Sequence, residues 1–100
     1  MESYDVRVTA EFSDWLDDLR DETARRAVAA RLVRASNGVF GDHKFLEGGL
    51  SELRIHHGPG YRVYYVIRGR TVVIVLVGGS KQTQDRDIAR ARRLAKDLEV

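Results

Sequence analysis

Between Leu50 and Gln84 the chain reads LSELRIHHGPGYRVYYVIRGRTVVIVLVGGSKQTQ, and its glycine-punctuated strand runs constrain the fold more than any other feature. Gly58-Pro59-Gly60 and Gly69-Arg70 are turns too short for a crossover, so the runs they join pair antiparallel. From Leu50 to His57, alternation places Leu53 and Ile55 on one face and Glu52, Arg54 and His56 on the other. In Tyr61 to Arg68, the residues Tyr61, Val63, Tyr65 and Ile67 share one face, and Arg62, Tyr64 and Val66 the other. Thr71 to Val77, TVVIVLV, is apolar at every position after its first. It reads as a strand buried on both sides near the sheet centre, ended by Gly78-Gly79.

The flanking segments read as helices able to cover that sheet. Tyr4 to Thr9 alternates as a half-buried strand does. Ser13 is a fair N-cap for a short helix in which Trp15, Leu16 and Leu19 share a side, with Asp14, Asp17 and Asp18 near its positive end. Asp21 predicts a second N-cap, opening a helix over 22–36 that carries Ala24, Ala27, Val28, Leu32 and Ala35 at helical spacing. Asn37-Gly38 stops it. Phe40 to Glu47 is an extended approach containing Lys44, and Gly48-Gly49 turns the chain into the first of the sheet runs. After Ser80-Lys81-Gln82 a terminal helix covers about 83–98, with Ile88, Ala91, Leu94, Ala95 and Leu98 on one stripe. The expectation is one α+β domain over 1–100: an N-terminal strand and helical hairpin, an antiparallel meander, and a C-terminal helix.

Composition narrows the chemistry. There is no cysteine, hence no disulfide and no thiolate metal site, and with 3 histidines a structural zinc is not expected. No metal and no cofactor are therefore predicted. No apolar run approaches the roughly 20 residues a bilayer span needs, and MESYDVRV lacks the basic-then-apolar order of a signal peptide. We expect a cytoplasmic protein with no membrane partner.

The net charge of +2 is small but unevenly spread. From His43 to Lys81 the cations are Lys44, Arg54, Arg62, Arg68, Arg70 and Lys81, and the acids are Glu47 and Glu52. Arg54 and Arg62 fall on the sheet face opposite Leu53, Ile55, Val63 and Tyr65, and Tyr64 shares their face. Lys44 enters from the preceding segment, and Lys81 follows the buried strand. Cations hold phosphate and an aromatic ring stacks on a base, so such a face suits RNA. RNA can be cut there without a metal, because its own 2′-hydroxyl attacks the adjacent phosphate once the geometry is held and the charge neutralised. Proton transfer would fall to Lys44, Lys81, a histidine, Glu52 or Tyr64, and spacing picks none of them. The plain alternatives are that Arg54 or Arg62 pairs with Glu52, that Tyr64 fills space under the terminal helix, and that His43, His56 and His57 are solvated.

GDHKFLEGGLSELRIHHGPGYRVYY followed by VGGSKQTQDRDIARA closely resembles the addiction-module killer proteins, a HigB-like branch of the RelE/ParE toxin superfamily. The resemblance rests on Gly41-Asp42-x-Lys44, Glu52-Leu53-Arg54, Gly58-Pro59-Gly60-Tyr61-Arg62 and Gly78-Gly79-x-Lys81-x-x-Gln84, and it runs from the Trp15-Leu16 helix to the terminal one. It implies the RelE-like fold and the toxin of a type II toxin–antitoxin pair. The toxin would be held by a separately encoded helix-turn-helix antitoxin and would meet DNA only through that complex. It further implies metal-independent mRNA cleavage in the ribosomal A site. The family's basic catalytic face falls on Arg54, Arg62, Lys44 and Lys81, with Tyr64, His56 and Gln84 as substrate-binding candidates. RelE has a lysine where Glu52 stands and a tyrosine near the start of its last helix, whereas this chain has no tyrosine beyond Tyr65. In HigB-like members histidine and acidic residues move the proton, which nominates His56, His57, Asp85 or Asp87. A ParE-like DNA gyrase inhibitor without catalysis, or a toxin relic, would use the same scaffold.

Overall fold

The computed structural model describes residues 3–98. Strand β1 (Asp5–Val8) is followed by helices α1 (Ala10–Asp18) and α2 (Glu22–Ser36), then β2 (His43–Phe45), β3 (Leu50–Ile55), β4 (Tyr61–Arg68), β5 (Val72–Ser80) and α3 (Gln84–Asp97). The sheet order is β1-β5-β4-β3-β2. The meander from β2 to β5 is antiparallel as expected. The N-terminal strand adds a parallel edge, Asp5–Val8 lying beside Val72–Val75. No helix among the described residues is long and apolar enough to cross a membrane.

The first helix begins earlier than Ser13. Thr9 is its N-cap and accepts from the Phe12 amide at 3.0 Å, which adds Phe12 to the Trp15, Leu16 and Leu19 side. Asp21 caps α2 as predicted, accepting from the Ala24 amide at 3.1 Å. Gly38, at φ 84, follows its Asn37 C-cap.

Strand parity separates two cores. Leu53, Ile55, Tyr61, Val63 and Tyr65 join Val73 and Val75 under Phe12, Ala24 and Val28 of the first two helices. The opposite face is also covered: Leu50, Tyr64, Val66, Leu76 and Val77 pack against Ala91, Ile88, Leu94 and Ala95 of α3. Leu98 falls off that stripe and stays half exposed.

The apolar run of β5 conceals a β-bulge. Tyr64 pairs with Val77 but Tyr65 with Val75, so Leu76 is an extra residue and the parity of the strand changes there. Thr9 anchors the irregularity: its amide donates to Val75 O (3.0 Å) and its hydroxyl to Leu76 O (2.7 Å). Nor do Gly78 and Gly79 end the strand, which continues to Ser80. One glycine faces each helical layer. A Cβ on Gly78 would overlap the Trp15 indole, and one on Gly79 the Asp87 carboxylate and the Thr83 hydroxyl. The glycine pair therefore exists for close approach on both sides of a strand. Gly78→Ala is expected to destabilise the fold by about 1–3 kcal/mol, as overpacking does, read as a lowered urea midpoint with an unchanged m-value.

Candidate functional site

The meander register lays the basic residues in rows. Arg54 opposes Arg62, which opposes Gly79. One step along, Lys44 opposes Glu52, which opposes Tyr64. Arg54, Arg62 and Lys44 thus share one sheet face, but their environments differ. Glu52 is only 2% exposed and its Oε2 receives Arg54 Nε at 2.8 Å, with Arg62 Nε at 3.5 Å from the same oxygen. Two guanidiniums share one carboxylate, and this triad, buried at Glu52 and Arg62, carries one net positive charge. Arg62 is nearly buried, its Nη1 donating to the Tyr61 carbonyl, while a third of the Arg54 side chain reaches solvent. The pairing with Glu52 raises the pKa of Arg54.

Tyr64 is not a stacking platform. It is fully buried under α3, so its ring offers no face to a base. Desolvation, with Glu52 and Asp87 nearby, pushes its phenol up to about 12. Its hydroxyl has no hydrogen-bond partner of good geometry among the described residues. Gln84, at the start of α3, lies beside it and lines a shallow hollow with Lys81, Thr83, Asp85 and Arg86. Asp87 is buried too, and Thr83 donates to it. It belongs to the packing of α3 against Gly79. Asp85 is exposed along the hollow.

The polar residues converge at the β3–β4 turn. His56, His57, Gly58, Pro59, Gly60, Arg62 and Lys81 line an open concavity of about 390 Å³. Gly58 (φ 55) and Gly60 (φ 81) supply backbone conformations that other residues rarely adopt, and the Gly60 amide closes the turn on His57 O. The Lys81 amide donates to Gly60 O at 2.7 Å, which brings the end of β5 against the turn. Lys81 and Arg62 then flank Gly60: a Cβ there would lie 3.6 Å from Lys81 Cβ and 3.7 Å from Arg62 Nη1. The Lys81 ammonium is exposed and has no partner among the described residues. Lys44, exposed on the edge strand, does not line this concavity.

Both turn histidines are held by carboxylates. His56 Nε2 lies 2.5 Å from Asp42 Oδ2, and His57 Nε2 2.9 Å from Asp21 Oδ2. A carboxylate only accepts, so in each ring Nε2 carries the hydrogen. His43 Nδ1 instead meets Gly41 O. Sequence reasoning nominated the histidines but not their partners, which lie 14 and 36 residues away. Arg31 was missed outright. Its guanidinium donates to Arg54 O (2.6 Å), Phe40 O (2.8 Å) and Asp42 O (3.0 Å), fixing the Asp42 segment beside β3. Gly41, at φ 66, lies where a Cβ would crowd that guanidinium. Nothing separates Arg31 from Arg25, Arg26 and Arg34 in a helix pattern. Among the described residues no three His, Cys, Asp or Glu side chains cluster to hold a metal ion.

Residues 14–96 match the model of the phage-derived Gp49-like protein family. The chain belongs to that family. An uncharacterized protein of Haemophilus influenzae is 43% identical over 93 residues, spanning 93% of this chain and 94% of that protein. A mutant of the E. coli toxin RelE, solved in the free state, superposes with a TM-score of 0.76 at 19% identity, covering 92% of this chain and 97% of that one. At that identity the likeness is one of fold, and with the family match it bears out the RelE-like architecture and the RelE/ParE superfamily resemblance.

Two outcomes follow from this electrostatic arrangement. Arg62→Ala leaves a buried carboxylate with Arg54 alone and is expected to cost about 3 kcal/mol, the low end for breaking a buried pair. Glu52→Gln in the same chain should recover part of that loss in a double-mutant cycle of denaturant unfolding. The hydrogen bond from His56 holds the Asp42 carboxyl below its ordinary 3.8, and that from His57 does the same for Asp21. Stability from these contacts is complete above the ordinary carboxylate range and lost as pH falls through the lowered values. A carboxyl-detected NMR titration should place both groups below 3.8, and His56→Ala should move Asp42 back toward it.

Proposed function

We propose that the chain is the toxin of a type II toxin–antitoxin pair, of the HigB-like kind, and that it cleaves mRNA in the ribosomal A site through the substrate's own 2′-hydroxyl. The observation that carries this reading is the concavity at the β3–β4 turn, where an exposed Lys81, without an ion-pair partner among the described residues, stands beside Arg62 and two imidazoles. Its cations answer the needs of phosphate positioning and charge neutralisation. Arg54 and Lys44 extend the positive surface along the neighbouring strands toward the flanking phosphates. Gln84, beyond Lys81, contacts the next nucleotide. The partners under this reading are mRNA on the ribosome and a helix-turn-helix antitoxin, the setting is the cytoplasm, and DNA is met only through the antitoxin complex.

One observation favours a second reading. Arg54 and Arg62 are both engaged with Glu52, which diminishes the charge they present and suits a ParE-like gyrase inhibitor that binds without chemistry. Transcript 5′ ends mapped after induction separate the two. Cuts inside translated codons support the nuclease, whereas intact messages with double-strand DNA breaks support gyrase inhibition. Lys81 is the sharper probe of the basic site than Arg62, because its side chain is exposed and its removal leaves no buried charge. Lys81→Ala should lower the cleavage rate by about 10²-fold, the scale for losing one preorganised donor, and relieve growth arrest while the thermal midpoint stays near that of the parent.

A further inference from the structure

The residue that moves the proton is not identified by the basic face, and the turn geometry supplies a candidate. A base for 2′-hydroxyl attack needs an unprotonated nitrogen at a fixed orientation, open to substrate and close to the phosphate-holding cations. His56 meets each condition. With its Nε2–H committed to Asp42, the lone-pair nitrogen of the neutral ring is Nδ1, which has no partner among the described residues. Its side chain is 71% exposed, and it lines the same concavity as Arg62 and Lys81. It follows directly on the last residue of β3, Ile55, two positions beyond Arg54. Asp42 is in turn fixed, because its carbonyl accepts both from the Arg54 amide (2.9 Å) and from Arg31 (3.0 Å). His57 is built into the fold instead. Its carbonyl closes the turn, and its partner Asp21 is also the N-cap of α2.

We infer that His56 is the general base of RNA cleavage and that Asp42 is its positioning residue; the inference rests on the nuclease reading above. The His56 Nδ1 takes the proton of the 2′-hydroxyl as the 2′-oxygen bonds to phosphorus. The bond from phosphorus to the 5′-oxygen breaks, and the Lys81 ammonium gives that oxygen its proton. The products are a 2′,3′-cyclic phosphate and a 5′-hydroxyl, and solvent restores both protonation states. Arg62 neutralises the charge on the phosphorane oxygens. Asp42 touches no substrate: it fixes the ring and keeps the hydrogen on Nε2.

The test is single-turnover cleavage of mRNA on programmed ribosomes by the full chain, His56→Ala and Asp42→Asn, with the ribosome concentration varied. His56→Ala should lower the maximal rate by about 10²–10⁴-fold, the usual share of general base catalysis, and added imidazole should restore part of it. Asp42→Asn should lower the maximal rate as well, with an unchanged half-saturating ribosome concentration. Circular dichroism melting of both variants establishes that they are folded. His56→Ala at the parent rate would overturn the inference, and so would a change confined to the half-saturating concentration, which would make His56 a binding residue only. A parent chain that leaves the message intact on the ribosome would remove the nuclease reading itself, and this assignment with it.

Discussion

The structure depends on a close approach at β5. This strand is covered on both faces, and at Gly78 and Gly79 the two helical layers come close to its backbone. Trp15 of α1 occupies the space a side chain at Gly78 would take, and Asp87 of α3 does the same at Gly79. Interiors are packed to crystal-like density, so such contacts fix layers rather than merely bringing them together. The consequence for the site is direct. Once α3 is seated at Gly79, the segment from Ser80 to Thr83 has little freedom, and the Lys81 amide docks on Gly60. A strand buried for packing reasons thereby delivers a cation to the turn between two others.

The same packing explains why β5 needs a bulge. Val73 and Val75 face the first two helices, and without an inserted residue Val77 would follow them. The extra Leu76 sends both Leu76 and Val77 to the α3 side, and Gly78 is then the residue under Trp15. Thr9 ties the irregular carbonyl to the N-cap of α1, so the bulge and the position of that helix are set together.

Strand parity in β3 and β4 was legible because each position of an alternating strand carries a face with it. Leu53, Ile55, Val63 and Tyr65 fall in one core as their spacing requires. The bulge was not legible, since TVVIVLV is apolar in both registers and no residue type marks the change. For the same reason Tyr64 could be read as core or as stacking surface. Only the seating of α3 decides that, and it decides for core. The polar site was legible by residue type but not by partnership. Arg54, Arg62, Lys81 and His56 could be nominated from short motifs, whereas Asp42, Asp21 and Arg31 act across sequence separations that no local pattern encodes. Lys44 shows the converse: its motif placed it with the other cations, and the register sets it on the edge strand, outside the turn concavity.

Glu52 is where the fold and the candidate site meet. A guanidinium as buried as that of Arg62 is tolerable in a low-dielectric setting only with a counter-charge, and the carboxylate of Glu52 supplies it. Because Glu52 serves Arg54 through the same oxygen, one buried acid orients two arginines at the cost of part of their positive potential. Lys44, across the strand pair, and Lys81, beyond the turn, carry charge that no acid among the described residues neutralises. The arginines therefore contribute geometry and the lysines contribute field. A lysine at position 52 would reverse that division, leaving both arginines without this counter-ion and making the interior of this sheet face untenable unless they moved outward to solvent. The acid at position 52 and the burial of Arg62 are thus one feature, and the polar concavity at the turn is built on the fixed strands it holds.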